Sequence, residues 1–279
     1  MEQYIFASDP HGRGEPWIDL VKQAQNKYPN AQVIFGGDYI DGRKDSKANL
    51  DFVMDEVKNH NAIALLGNHE QLMMDFLEGK EDDYGLNNSL WVMNGGKTTI
   101  RSIIRPLFHT GFSLQKSAEV IKYQTPYYEF LTTLPVIHET ENIIFVHAGV
   151  NPVTKNYSSD NAYKNNKDKI QYYLWAREDY FWQKPNSFLS SSTTFNHNLT
   201  GKTIVTGHTP TCLLYGKYEN DIKPPLKKLP FTQCPVRVVQ YPNEPARIFT
   251  DNGCHSKMAQ HKGNVVVLDK QGNVLEIFN

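Results

Sequence analysis

Short, continuously apolar runs recur along the chain, each bounded by turn-forming residues: YIFAS at 4–8, QVIFG at 32–36, AIALLG at 62–67, NIIFVH at 142–147, KTIVTG at 202–207, ARIFT at 246–250 and NVVVLD at 264–269. A strand with one solvated face alternates apolar and polar positions, so unbroken apolarity predicts strands covered on both faces. Between the early runs the period changes. Trp17, Leu20, Val21 and Ala24 share one face of a first helix. Leu50, Val53, Met54 and Val57 do so on a second, and Leu72, Met73, Phe76 and Leu77 on a third. Strand and helix in alternation predict an α/β fold with layered sheets.

Two stretches depart from this alternation. Residues of about 80–140 read as mostly helical, with a Gly95-Gly96 break after the apolar SLWVM, and are expected to form a cap or insert. Between Lys217 and Pro245 stand Pro224, Pro225, Pro230, Pro235, Pro242 and Pro245, which predicts a long irregular connection with one short strand at Val236–Gln240. The sequence has no internal repeat, and residues 1–279 are expected to form a single domain.

The 29 basic residues nearly balance the 30 acidic ones, for a net charge of -1, so no global field draws the protein to a nucleic-acid polymer or an anionic membrane. Any phosphate must be held by local groups. Cys212, Cys234 and Cys254 are far apart and include no CxxC pair, which argues against a disulfide framework or a thiolate zinc site and for a reducing compartment. The opening MEQYIFASDPHG has no basic segment leading into a long apolar one, and no apolar run could span a bilayer, so a cytoplasmic location is expected.

The chemistry lies where the strands end. Five of the apolar runs close on a polar cluster: DPHG, GDYIDGR, GNHE, HAG and GHTP. Carboxyl ends of strands in layered α/β proteins converge on one crevice, so these distant clusters are expected to meet. Their candidate metal ligands are Asp9, His11, Asp38, Asn68, His147 and His208. Carboxylate, imidazole and amide oxygen without thiolate suit a borderline-to-hard divalent ion, Mn²⁺ first, with Fe²⁺ or Zn²⁺ as alternatives. That is too many ligands for one open catalytic site but suits two ions about 3.5–4 Å apart, with Asp38 as the bridge. A water between two such ions becomes hydroxide near neutral pH and serves as the nucleophile.

The ordered set DPHG, GDYIDGR, GNHE, HAG and GHTP resembles the phosphoprotein phosphatase family of calcineurin-like metallophosphoesterases. GNHEQLMMD and WVMNGG are most similar to its small bacterial and phage members. The resemblance runs from Asp9 to about Cys254. It implies a metallophosphoesterase-type layered β-sandwich flanked by α-helices, with the dinuclear site at the strand ends. It implies Asp9, His11 and Asp38 on the first metal, and Asp38, Asn68, His147 and His208 on the second. His69 becomes the general acid, oriented by Asp41, and Arg177 in WARED a contact to the substrate phosphate. The family usually carries an arginine directly after the aspartate of the second motif. Gly42 stands there in this chain, and Arg43, one place on, is the arginine available to the phosphate. Pro210 in GHTP, where broader calcineurin-like esterases carry a further histidine, leaves the first ion with fewer protein ligands than the second.

The activity so implied is hydrolysis of phosphate monoesters, by a serine/threonine protein phosphatase acting through a metal-bridged hydroxide. The close rival is a dinucleoside polyphosphate (diadenosine tetraphosphate) hydrolase, because both reactions present the same phosphoryl group and specificity lies in the loops. The expected partners are accordingly a phosphoprotein or a phosphorylated small molecule or nucleotide. His60, His109, His138, His197, His255 and His261 match none of the motifs and read as packed or solvated. Tyr172, Tyr173, Trp175, Tyr180, Phe181 and Trp182 read as core, and Asn252 and Cys254 as packing.

Overall fold

Each of the seven apolar runs supplies a strand, and the strands sort into two sheets. The structure, a computed structural model, describes residues 2–80, 89–107, 113–153, 167–183, 193–256 and 260–279. The first sheet has the order β10-β9-β1-β2-β3, from β1 (Gln3–Ala7), β2 (Gln32–Phe35), β3 (Ile63–Ala64), β9 (Val265–Asp269) and β10 (Val274–Phe278). The second has the order β4-β5-β6-β8-β7, from β4 (Ile137–Glu139), β5 (Ile143–Val146), β6 (Thr203–Thr206), β7 (Arg237–Val239) and β8 (Arg247–Phe249). At the heart of each sheet three strands run parallel, β1-β2-β3 in one and β5-β6-β8 in the other.

Continuous apolarity follows from the layering. In β1, Tyr4 and Phe6 point into a core that also takes Ile34, Phe145, Val205 and Val266 from both sheets, while Ile5 and Ala7 point outward under helices. That outer layer is built by α1 (Glu15–Lys27), α2 (Ser46–Asn59) and α3 (Asn68–Leu77). On the second sheet Ile144, Val146, Ile204 and Phe249 meet Tyr173, Tyr180 and Phe181 of α7 (Lys167–Trp175) and α8 (Glu178–Phe181). Each apolar face is thereby removed from water, worth about 25 cal/mol per Å² of apolar surface.

The stretch expected as a cap contributes α4 (Lys97–Leu107), α5 (Leu114–Gln124) and α6 (Tyr127–Thr133). Trp91, Ile100, Ile103, Val120 and Leu131 lie in the same core cluster as α1–α3, so these helices extend the layer over the first sheet. The chain enters α4 through a tight turn at Val92–Gly96, where Gly95 takes a φ of 113°. Within the Pro-rich segment the one named strand is β7, at the edge of the second sheet. The edge strands β4 and β10, half-covered, escape a pattern that looks for strands buried on both faces. No helix among the described residues is long and apolar enough to cross a membrane.

Candidate metal centre

The motifs fold onto one another because the parallel strands that precede them end together. Asp9 N–H donates to Gly37 O at 3.0 Å, His11 N–H to Asp38 O at 3.1 Å and Gly12 N–H to Tyr39 O at 3.0 Å, which stitches the loop after β1 to the loop after β2. The loop after β6 joins them through His208 N–H, which donates to Asp9 Oδ1 at 2.8 Å. Asp9, His11, Asp38, Asp41 and His208 all have left-handed backbone, with φ of 54°, 44°, 56°, 70° and 65°. Each such residue stores on the order of 1–3 kcal/mol, so surrounding structure must hold it there.

Glu70 is a principal holder. Its Oε2 accepts N–H from Asp38 at 2.8 Å and from Gly67 at 3.1 Å, and its Oε1 accepts from Tyr39 at 2.8 Å. Burial, with the Asp38 charge next, pushes the Glu70 carboxyl up to about 7. Glu70 is not among the candidate residues that the motifs marked. Its signal is the glutamate three places into the helix that Gly67 caps, the capping-box position.

Glycine is required where the loops touch. A Cβ on Gly207 would run into Asp9 Oδ2 and Ser8 Oγ, and one on Gly67 into the backbone and carboxylate of Asp38. Gly207→Ala is expected to cost about 1–3 kcal/mol by overpacking and to push Asp9 out of place. A thermal melt and a count of bound metal check both effects; wild-type values for the two would mean that the loop gives way freely.

Around this frame the candidate ligands converge. His147 Nε2 lies 2.9 Å from Asn68 Oδ1 and 3.4 Å from Asp38 Oδ1. His208 Nδ1 lies 2.8 Å from the same Asn68 oxygen, and His11 Nε2 3.5 Å from Asp38 Oδ2. The ligand atoms of Asp9, His11 and Asp38 fall within 4.8 Å of one another, as do those of Asp38, His147 and His208. Asp38 belongs to both sets. His147 Nδ1–H donates to Gly36 O at 2.8 Å and His11 Nδ1–H to Ile40 O at 3.1 Å, which aims each Nε2 at the cluster.

The electrostatics fit missing positive charge. Asp9 Oδ2 is buried without a hydrogen-bond partner, and burial, then Asp251 and Asp38, raise the Asp9 carboxyl well above the usual range. Against the cost of its own burial, Asp38 is held well below that range by His147, His69 and His11. Burial holds His11 and His208 neutral, while His147, beside Asp38, is raised to about 10 despite its burial. Two divalent ions would satisfy the unpartnered carboxylate and relieve the crowding of acids, so these residues suit them.

His69 stands next to the ligands with a different environment. Its backbone N–H donates to Asp38 Oδ1 at 3.0 Å, and its ring Nδ1 pairs with Asp41 Oδ2 at 2.7 Å. Asp41 also accepts from Thr99 Oγ1 at 2.5 Å and from Trp91 Nε1 at 3.0 Å, so the WVMNGG segment serves the site by fixing this carboxylate. Although burial works against the charged ring, Asp38 and Asp41 raise His69 to about 9. His69 Nε2 lies 4.0 Å from Asp38 Oδ2, on the side of the ring turned away from Asp41 and toward the cluster.

The remaining expected residues reach the rim. Arg177 sits in the break between α7 and α8, where its Nη1–H donates to Thr209 Oγ1 at 2.9 Å, directly after His208. Trp175, expected as core, is half-buried with its ring 6.1 Å from that of His208. Arg43 Nε–H donates to Cys254 O at 3.2 Å and Nη2–H to Ser256 O at 2.6 Å. The residue between those two carbonyls, His255, has its ring 4.7 Å from that of His11 and 5.3 Å from that of His69. No motif pointed to it. Among the other histidines set aside, His197 pairs with Glu244 and Glu219, His138 stacks on Phe145, and His109 lies outside the described residues.

A model of the calcineurin-like phosphoesterase family matches residues 3–216. The chain belongs to that family. It is therefore a hydrolase acting on phosphoesters, in a family that uses divalent metals. Among solved structures it is similar to a cold-active protein-tyrosine phosphatase of a psychrophilic Shewanella, at 14% identity over 100% of this chain and 81% of that one, with a TM-score of 0.50. It is also similar to a serine/threonine protein phosphatase of Saccharomyces cerevisiae, at 15% identity over 99% and 79% of the two chains and a TM-score of 0.47. A third is named as a candidate diadenosine tetraphosphatase, at 15% identity over 98% and 91%, with a TM-score of 0.49. Of the three, the Shewanella structure alone bears on the fold, and at 14% identity on nothing beyond it. No curated protein gives a significant match.

Proposed function

We propose that the protein is a metal-dependent phosphomonoesterase that removes phosphate from serine and threonine side chains of proteins. The observation that carries this reading is Asp38, shared by two ligand sets and flanked by His69, whose Nδ1 is held by the buried Asp41 carboxylate. Asp9, His11 and Asp38 would hold one ion, and Asp38, Asn68, His147 and His208 the other, with Mn²⁺ favoured by the oxygen share. When bound, the pair supplies an activated water nucleophile and neutralises the phosphoryl oxygens.

The chain's own groups do the rest. Asp41 fixes the His69 ring so that Nε2–H points to where a leaving oxygen would sit, and His69 gives up that proton as the ester bond breaks. Arg177, anchored on Thr209 beside His208, offers its exposed guanidinium to the phosphoryl oxygens. Arg43, with two donors on the 254–256 backbone, braces that loop.

The test sets a phosphoserine and phosphothreonine peptide panel beside diadenosine tetraphosphate, with Mn²⁺ and with a chelator. Peptide turnover that needs Mn²⁺ and vanishes in chelator is the expected result. Preference for the dinucleotide under the same conditions would replace the monoester reading with hydrolysis of a phosphoanhydride, and turnover that survives chelation would sink both. Alkylating reagents should leave the rate unchanged, since burial pushes the thiols of Cys234 and Cys254 up to about 12 and no cysteine is among the site residues.

A further inference from the structure

His255 lies at the edge of the metal-dependent site just proposed, and its assignment rests on that reading. One nitrogen each of His11, His69 and His255 lies within 4.8 Å of the others, so His255 joins two imidazoles that come from motifs, of which His11 also stands within that distance of Asp9 and Asp38. The placement of the third is built into the fold. Arg43 grips the carbonyls of Cys254 and Ser256 on either side of it, and Arg13 Nη2–H donates to Gln260 O at 3.0 Å further along the same segment. Gly42 leaves the space: a Cβ there would stand 3.2 Å from His255 Cδ2 and 3.3 Å from its Cα. The side chain that residue 42 lacks is thus replaced by an imidazole arriving from the far end of the sequence.

His255 reaches solvent at the rim on one side and packs its ring against His11 and His69 on the other. Its hydrogen bonding adds a further constraint. His255 Nε2 lies 3.3 Å from Asn94 O, and a carbonyl only accepts, so Nε2 carries the hydrogen and Nδ1 keeps a free lone pair. His11 and His147 likewise each place one ring N–H on a backbone carbonyl. Metal-ligating histidines are held in this way, since the outer hydrogen bond fixes the tautomer and aims the ring.

We propose that His255 is a further nitrogen ligand of the first metal position, joining Asp9, His11 and Asp38. That position counts three protein ligands from the motifs, Asp9, His11 and Asp38, and His255 adds a fourth from another loop. A second imidazole also makes this donor set richer in nitrogen, which moves its preference from Mn²⁺ toward Zn²⁺ or Fe²⁺.

The experiment titrates the full chain, His255→Ala and His255→Gln with Zn²⁺ and with Co²⁺, following heat and the visible absorption of bound Co²⁺. The wild type should bind two ions. In both variants one affinity should fall by about 10–100-fold or more, given what even outer-shell changes cost a metal site, and the Co²⁺ spectrum of that position should change as a nitrogen donor is lost. A circular dichroism spectrum checks that these rim variants are folded. Wild-type affinities and an unchanged Co²⁺ spectrum in both variants would overturn the assignment and leave the proposed function standing. A wild-type chain that binds neither ion would overturn the two together.

Discussion

Asp38→Asn is expected to abolish measurable turnover on every phosphoester and to leave the protein with little or no bound metal. The side chain stands in both ligand sets, with Oδ1 3.4 Å from His147 Nε2 and Oδ2 3.5 Å from His11 Nε2. An amide of the same shape keeps one acceptor oxygen and turns the other into a donor, so one substitution weakens both positions at once. The size of the loss follows from what the ions must supply. Enzymes accelerate phosphate-monoester hydrolysis by up to ~10²¹-fold, and a general acid contributes typically about 10²–10⁴ of that. Most of the remainder falls to charge neutralisation and the activated nucleophile. Folding should survive, because the amide oxygen can still accept the His69 backbone N–H that Asp38 Oδ1 takes at 3.0 Å. Metal analysis, a thermal melt and assays on a phosphopeptide and an aryl phosphate decide it. A folded variant that keeps both ions would remove Asp38 from its bridging place.

What the sequence made legible divides along a physical line. Strands buried on both faces announce themselves as unbroken apolar runs, so YIFAS, NIIFVH and NVVVLD gave the two sheets, whereas the half-covered edges β4 and β10 carried no such mark. The candidate ligands at strand ends were readable for a related reason: Asp9, His11, Asp38, Asn68, His147 and His208 sit in short motifs whose glycines betray close approach, and the structure brings all of them together. Supporting groups were harder to see. Glu70 holds four backbone N–H groups, counting Ile40 N–H at 3.3 Å, but on the page it is one more acidic residue in a helix. Thr99 and Trp91 reach Asp41 from 58 and 50 positions away, and His255 meets His11 only because the chain returns through β8 before β9. Contacts of that kind are set by topology, and a local pattern holds no record of them.

His69→Asn is expected to keep both ions bound and to lower kcat by roughly 10²–10⁴, the usual worth of a general acid. Its ring is placed to donate: Nδ1 is committed to Asp41 at 2.7 Å, and Asp38 and Asp41 raise the ring to about 9 against the cost of burial. The deficit should depend on the leaving group. A serine alkoxide needs a proton as the ester breaks, whereas an activated aryl oxide leaves without one, so the variant should lose far less on an aryl phosphate than on a phosphopeptide. The pH profile supplies an independent sign. An acid works only in its protonated form, so peptide turnover should fall as pH rises through the His69 pKa. Divalent charge bound nearby disfavours the imidazolium and should bring that limb below about 9. In His69→Asn the limb should disappear, and on the aryl phosphate it should be faint even in the wild type. Loss of metal in His69→Asn, or an equal deficit on the two substrates, would make the residue a ligand or a prop and leave the proton donor elsewhere.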